Sequence, residues 1–365
     1  MSQISKPVRT RGRRLALAGA GLLLAVTGSV LFLTQRGSAP AGETDAAAVA
    51  DQPGVTPSGP GASVRPSGSA SPRASGSASA TASGSPSAGR GGEPADRTRP
   101  AVVWPNPATT GVPAGWRPKQ TRTTDLKITR AGSVVRDIRL VNADLIVAAR
   151  DVRVQRVELQ GGSIINDSTP SCNNGLVVEN VTLTRGPGQV TRSEDLPAIQ
   201  AGGYTARRVR IDGRPEGFRV AGKSLDCGRV TIEDSFARVT SPDVCGDWHG
   251  DGVQGYDGPP LVVRNVTLEL AQTASCGGTA PFFYPADQGN TSVEVDGLLV
   301  KGGGYPFRLA MPGSVRNLRV VDGSWEYGPI DVACSLVTAW EAAVVTVGPD
   351  YQPTRTVRRL PCDTP

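Results

Sequence analysis

The segment from Cys245 to Tyr256, with the sequence CGDWHGDGVQGY, gathers the residue types that most readily do chemistry. It contains His249, the single histidine of the chain, with Asp247 and Asp251 two residues to either side. If the segment is extended, alternation places these three side chains on one face. All three are therefore candidate catalytic acid or base residues, and Asp247 and Asp251 are also candidate ligands for a metal such as Ca²⁺. The alternative is that the Asp-Gly pair only forms a turn and that the histidine has a purely structural role.

A group of short matching segments supplies a surface around this motif. They are Pro197-Ala-Ile-Gln, Gly217-Phe-Arg-Val, Asp251-Gly-Val-Gln, Pro281-Phe-Phe-Tyr and Pro306-Phe-Arg-Leu. We expect the apolar member of each to point into a core and its neighbour to face outward, because side chains alternate along a strand. The expected inward residues are Ile199, Phe218, Val253, Phe282 or Phe283, and Phe307. The expected substrate-binding residues are Gln200, Arg219, Gln254, Tyr284 and Arg308, with Tyr256 and Tyr305 nearby.

This surface suits an acidic sugar polymer. Arginine binds carboxylates in a bidentate manner, while aromatic and amide side chains are apt partners for sugar rings and hydroxyl groups. For any single arginine, a solvated strand face is an equally good interpretation.

A second sequence motif recurs between these segments, as in Leu176-Val-Val-Glu-Asn-Val-Thr-Leu and Leu261-Val-Val-Arg-Asn-Val-Thr-Leu. Its copies are 19 to 31 residues apart, measured at one polar marker position: Asp137, Arg156, Asn180, Arg208, Asp234, Asn265, Asp296 and Asn317. A solenoid tolerates such drift, because each coil adds short strands to shared sheets while the turns vary in length. The pattern predicts an all-β right-handed parallel β-helix from about Asp125 to Asp331. The main rival is an antiparallel sandwich with hairpins at Asn-Gly and Asp-Gly pairs, but it gives no reason for one copy of this motif per circuit.

Composition divides the chain of 365 residues into three parts. In residues 1–37, a basic flank precedes an apolar run of 19 residues from Leu15 to Leu33, which predicts a transmembrane signal anchor rather than a cleaved signal peptide. Residues 38–100 are rich in Ala, Gly, Ser and Pro and predict a disordered linker. Residues 101–365 form the predicted β-helix domain, placed outside the cell on a membrane anchor or secreted.

Charge argues against a nucleic-acid partner. The net charge of +6 lies in the N-terminal part, because residues 101–365 hold 28 basic and 28 acidic side chains. A nucleic-acid binder usually needs a concentrated basic face, which this neutral domain does not predict.

The six cysteines all lie in the predicted domain, with no CxxC pair, and so predict disulfides in an oxidising compartment. Cys245 and Cys276 occupy matching places in consecutive coils and are expected to pair. Cys334 and Cys362 are expected to pin the C-terminal segment. Cys172 and Cys227 then remain, although two coils separate them, so that their pairing requires the loops to adjust.

Three motifs carry a resemblance to a known group. They are Pro105-Asn-Pro-Ala-Thr-Thr-Gly-Val-Pro, His249-Gly-Asp-Gly-Val-Gln and Gly302-Gly-Gly-Tyr. Residues 105–310 thereby resemble secreted bacterial right-handed β-helix proteins of the pectate-lyase-like superfamily, in an uncharacterised actinobacterial-type group. The pectate-lyase arginine motif and the polygalacturonase aspartate series are absent from the sequence. The superfamily holds lyases, hydrolases, epimerases and binders, so the resemblance implies the fold and leaves the reaction open.

Three functions follow as expectations. The first is a polysaccharide lyase acting on an acidic glycan, with Arg219, Arg308 or Ca²⁺ neutralising the uronate, and His249 with Tyr256 or Tyr284 moving protons. The second is a glycoside hydrolase that uses Asp247 and Asp251 as its carboxylate pair. The third is a non-catalytic module that binds a cell-wall glycan.

Overall fold

The structure is a computed structural model, and it describes residues 102–166 and 170–362. The predicted anchor and linker therefore lie outside the described residues. Within the described part, no helix is long and apolar enough to cross a membrane.

The described residues form two sheets of parallel strands. Sheet 1 has fifteen strands: β1 (Gln120–Arg122), β3 (Val134–Arg136), β4 (Ile138–Val141), β6 (Arg153–Gln155), β7 (Glu158–Gln160), β9 (Leu176–Glu179), β10 (Thr182–Thr184), β12 (Tyr204–Arg207), β13 (Arg210–Arg214), β15 (Val230–Thr240), β17 (Leu261–Ala271), β19 (Val293–Gly302), β21 (Gly313–Val321), β23 (Val337–Val347) and β24 (Pro353–Arg359). Sheet 2 has nine: β2 (Leu126–Ile128), β5 (Leu145–Val147), β8 (Ile164–Asn166), β11 (Ile199–Gln200), β14 (Phe218–Ala221), β16 (Asp251–Tyr256), β18 (Ala280–Tyr284), β20 (Phe307–Leu309) and β22 (Asp331–Val332). Two 3-10 turns lie at Lys223–Leu225 and Cys334–Leu336.

From β3 to β14, two successive strands of sheet 1 precede each strand of sheet 2, and from β15 to β23 the chain alternates between the sheets. Every strand pair is parallel except β23 with β24. Each circuit stacks on the one before it, as in β14, β16, β18 and β20 of sheet 2. Stacked parallel strands are consistent with the predicted β-helix and contradict the antiparallel sandwich. The antiparallel β24 lies at the C-terminal edge of sheet 1 and carries Arg355, Arg358 and Arg359.

The polar marker positions are the corners of sheet 1. Seven of them adopt positive φ, from 48° to 59°: Asp137, Arg156, Asn180, Arg208, Asp234, Asn265 and Asn317. At Asp296 the positive φ moves to the next residue, Gly297. Asn and Asp tolerate this left-handed conformation better than most residues, which explains why they recur there.

Neighbouring corners bond to one another. Arg156 Nε donates to Asp137 Oδ1 at 2.7 Å, Arg208 Nε to Asn180 Oδ1 at 2.8 Å, and Asn265 Nδ2 to Asp234 Oδ1 at 2.9 Å. This ladder uses the polar corner side chains to hold consecutive coils together, while Val, Ile and Leu from both sheets fill the interior.

All three disulfides join the pairs expected from the sequence: Cys172 with Cys227, Cys245 with Cys276, and Cys334 with Cys362. The first spans two coils with Cα atoms 4.9 Å apart. Gly202 lies beside it, where an added Cβ would be 2.6 Å from the Cys227 Cβ. Because Gly202 has no side chain, it leaves room for the disulfide to pass between the coils at this point.

Candidate functional site

The outer side of sheet 2 carries a row of side chains in register. Arg219 pairs with Gln254, Gln254 with Phe283, and Phe283 with Arg308. Gln200 stands next to this series, because the adjacent Ile199 pairs with Phe218. We call these five residues the outer row: Gln200, Arg219, Gln254, Phe283 and Arg308.

The inner residues of the same strands form a column in the core. Ile199, Phe218, Val253, Phe282 and Phe307 are all fully buried. The Phe282 and Phe307 rings stack with centroids 4.8 Å apart. The core column fixes the phase of each strand, so the outer row follows from it by alternation.

Each arginine of the outer row holds a carboxylate of its own. Arg219 Nε lies 3.0 Å from Glu216 Oε1, and Arg308 Nε and Nη2 each lie 2.9 Å from Asp331 Oδ2. The Arg308 guanidinium also lies 5.0 Å from the centre of the Phe283 ring, within cation–π range. Both cations are thus oriented before any ligand binds.

Asp251 is a buried carboxyl group beside these arginines. Its side chain is 0% exposed, Oδ1 accepts the Ala280 N–H at 3.1 Å, and Oδ2 has no hydrogen-bond partner in the described part of the chain. Burial raises its pKa well above the ordinary value and nearby Glu216 raises it further, while Arg219 and Arg308 act in the opposite direction. Burial therefore favours the neutral acid, in electrostatic reach of both arginines.

Glu216 is the second carboxyl of this cluster. The β14–β16 register, continued two residues back, sets Glu216 beside Asp251, and the Gly217 N–H donates to the Asp251 carbonyl at 2.9 Å. Burial raises the pKa of Glu216, and Arg219 opposes this shift. We call Glu216, Asp251, Arg219 and Arg308 the carboxyl–arginine cluster.

The structure separates the three residues of the histidine motif. The side chains of Asp247 and His249 are 96% and 67% exposed, with His249 Nε2 3.2 Å from Asp247 Oδ1, whereas Asp251 is buried. The prediction that all three share one face is therefore wrong. Alternation holds only inside a strand, and β16 begins at Asp251.

Trp248 explains how the segment turns. Its ring packs with Val239, Leu270 and Cys276, and its Nε1 donates to the Pro215 carbonyl at 2.9 Å. An added Cβ at Gly250 would lie 2.0 Å from this ring, so glycine is required there. The buried Trp248 and the Cys245–Cys276 disulfide hold the loop that presents His249.

The predicted metal ligands do not converge. Asp247 lies in solvent and Asp251 in the interior, and the described residues contain no group of three or more acidic, His or Cys side chains placed to hold a metal ion.

The three predicted tyrosines also differ in exposure. Tyr284 is fully buried and donates to the Pro259 carbonyl at 2.8 Å, and burial raises its pKa, so its predicted outward position is wrong. Phe283 takes that place in the outer row. Tyr256 is exposed, and Tyr305 is half-buried with the Arg308 guanidinium 5.8 Å from its ring centre.

The sequence prediction missed Glu216, Phe283, Asp331 and Tyr327. A signal for Glu216 was present, because Glu216-Gly-Phe-Arg matches Asp251-Gly-Val-Gln as carboxylate, glycine, apolar and polar residue. A segment that begins at Gly217 starts one residue after this carboxylate and therefore leaves it out.

No protein-family profile, curated protein or solved structure matches this chain. The features of the described residues that bear on function are the outer row and the carboxyl–arginine cluster.

Proposed function

We propose that this chain is an extracytoplasmic right-handed parallel β-helix protein of the pectate-lyase-like type that binds and cleaves an acidic glycan along the outer row. The observation that carries the proposal is the in-register series of two arginines, one amide and an aromatic ring on one sheet, with Gln200 next to it. Right-handed winding is the usual hand of parallel strand crossovers. The disulfides support an oxidising compartment, and a membrane anchor at Leu15–Leu33 remains a prediction.

The outer row defines the direction in which a bound glycan would run and the spacing between the two arginines that would meet its carboxylates. Arg219 and Arg308 are three strand positions apart, about 14 Å at the usual spacing between strands. A glycan lying along the solenoid axis would cross one strand after another, with carboxylates near the two arginines. Gln254 and Phe283 lie between them: Phe283 offers a ring surface to the intervening sugars, whereas Gln254 is buried, with 8% of its surface exposed.

The proposed reaction is β-elimination. A base takes the C5 proton of a uronate, the C4–O bond breaks, a C4–C5 double bond forms, and the departing oxygen takes a proton. His249 is the accessible base, oriented by Asp247, and the arginines neutralise the carboxylate. Tyr284 is buried, and Tyr256 ends β16 whereas His249 precedes it, which sets them at opposite ends of a strand about 17 Å long; the departing oxygen therefore takes its proton from water.

A second candidate is glycoside hydrolysis by Glu216 and Asp251. Asp247 is a poor partner for Asp251, whereas Glu216 adjoins it in register. Burial raises the pKa of Asp251, and the adjacent Glu216 is held by Arg219, so the two carboxyl groups have the unequal environments that can divide acid and base roles. This route requires Asp251 to become accessible to the sugar.

The test compares polymers of uronic acids with neutral polysaccharides. A lyase gives products with the ultraviolet absorbance of an unsaturated uronate, and His249→Ala abolishes it. A hydrolase gives reducing ends without that absorbance and loses activity in Glu216→Gln and Asp251→Asn. Binding without turnover supports the non-catalytic module.

The matched arginine control is Arg264, which pairs with Glu294 on sheet 1. We expect Arg219→Ala and Arg308→Ala to weaken retention on acidic polymers, and Arg264→Ala to leave it unchanged. Equal retention of all three variants, or equal binding of acidic and neutral polymers by the wild type, would refute the proposal.

A further inference from the structure

Two tyrosines form an exposed aromatic surface where the outer row ends. Tyr327 is 69% exposed, and its ring centre lies 5.8 Å from that of Tyr305 at an interplanar angle of 51°. We propose that Tyr305 and Tyr327, named here the tyrosine pair, form an additional subsite that stacks on the ring of a sugar next to the one held by Arg308. This inference rests on the proposed function.

The pair joins equivalent loops of two consecutive coils. Tyr305 precedes β20 and Tyr327 precedes β22, the next strand of sheet 2. The loops are tied together by backbone bonds from the Tyr327 N–H to the Gly304 carbonyl at 3.0 Å and from the Glu326 N–H to the Gly303 carbonyl at 3.1 Å. The rings therefore stand on hydrogen-bonded backbone.

A glycine lies against each ring. A Cβ added at Gly304 would be 2.8 Å from the Tyr327 ring, and one added at Gly328 would be 3.0 Å from the Tyr305 ring. Each tyrosine thus lies close over the other loop, in a space that a larger residue would occupy. This packing fixes the positions of the rings without covering Tyr327.

The tyrosine pair is continuous with the outer row. The Arg308 guanidinium lies 5.8 Å from the Tyr305 ring centre and 5.0 Å from the Phe283 ring centre, between the two aromatic residues. The resulting order is Phe283, Arg308, Tyr305 and Tyr327. Aromatic rings have apolar faces that can cover the C–H face of a sugar, and Arg308 can meet an adjacent carboxylate. The chemistry selects a pyranose polymer that carries carboxylates.

The substitution Tyr327→Ala tests the subsite. We measure affinity for oligogalacturonate and oligomannuronate by calorimetry, and expect a loss of about two- to twelvefold, the contribution of one aromatic contact. Tyr327→Phe keeps the ring and should bind as the wild type does. Gly304→Ala changes no aromatic residue but displaces the Tyr327 ring, and should weaken binding in the same direction as Tyr327→Ala.

Val134→Ala is the matched control, because Val134 is an exposed apolar residue on sheet 1. Unchanged affinity in Tyr327→Ala, with oligouronate binding by the wild type intact, would overturn the subsite and leave the proposed function standing. Failure of the wild type to bind either oligouronate at any length would overturn both. Circular dichroism and thermal unfolding of each variant check that a lost affinity is not lost folding.

Discussion

Replacing Asp251 by Asn tests whether this carboxyl group is neutral in the folded protein. Asn keeps the size of the side chain and an oxygen for the Ala280 N–H, but it has no proton to lose. The native carboxyl is fully buried, with one oxygen lacking a partner in the described structure, so its ionisation in the fold is costly.

The expected effect depends on pH, with a definite sign. Burial raises the folded-state pKa of Asp251 above the value of about 3.9 in the unfolded chain, so the native state binds more protons between these two values. The stability that the neutral carboxyl contributes is complete below the unfolded pKa and is lost as pH rises toward and through the folded pKa. The free energy of unfolding of the wild type should therefore fall, relative to Asp251→Asn, by about 1.4 kcal/mol per pH unit in this window.

The assay is denaturant unfolding with intact disulfides, followed by tryptophan fluorescence at pH values from about 4 upward. The two proteins should be closest in stability near the unfolded pKa and diverge as pH rises, until the difference levels off above the folded pKa. Thr267→Val is the matched control, since Thr267 is equally buried and its hydroxyl does not titrate, so its difference from the wild type should not change with pH. The neutral carboxyl would be refuted if the difference in unfolding free energy between the wild type and Asp251→Asn did not change with pH. It would also be refuted if the wild type became more stable relative to the variant as pH rises.

The remaining predictions concern the fold. Asn265→Val should destabilise the protein by about 1–2 kcal/mol more than Asn265→Gly in denaturant unfolding, because both lose the bond to Asp234 but only valine resists the φ of 49°; equal losses would mean that the corner conformation is not the cause. Gly202→Ala should lower the thermal midpoint, because its Cβ would meet the Ala221 carbonyl at 2.2 Å, whereas Gly277→Ala, with no neighbour closer than 3.9 Å, should not; equal midpoints would contradict the crossing of the first disulfide through that space.

The sequence predicted the parts of the fold that depend on alternation inside strands. The marker residues became the corners of sheet 1, and Arg219, Gln254 and Arg308 came into register because Phe218, Val253 and Phe307 fix the phase of their strands. Pro281-Phe-Phe-Tyr offered two phases, and the choice of Tyr284 as outward was off by one residue. A shift of one residue exchanges the two faces of a strand, so Tyr284 went to the core and Phe283 to the surface.

The rest of the site depends on loops and on one two-residue strand, β22, which are too short or too irregular to show periodicity in the sequence. Glu216 reaches Arg219 from the residues just before β14, whereas Asp331 lies in β22, in register with Arg308, in a strand of only two residues. The Asp247-to-Asp251 alternation failed because Trp248 turns inward ahead of β16. Alternation inside the longer strands therefore places side chains predictably, whereas the loops and the two-residue β22 carry no periodic signal in the sequence.

The internal carboxylates set a condition on any acidic ligand. Glu216 and Asp331 already neutralise Arg219 and Arg308, so a uronate must compete with them or share the cation. Competition with the ligand differs at the two arginines, because burial raises the pKa of Glu216 beside Arg219, whereas Asp331 beside Arg308 is half exposed. Protonation of Glu216 removes the competitor at Arg219 and leaves that guanidinium to the ligand. If the outer row binds an acidic glycan as proposed, we expect proton binding and glycan binding to be coupled at its Arg219 end. The Arg308 end, with its aromatic neighbours, would then hold a sugar without a change of protonation.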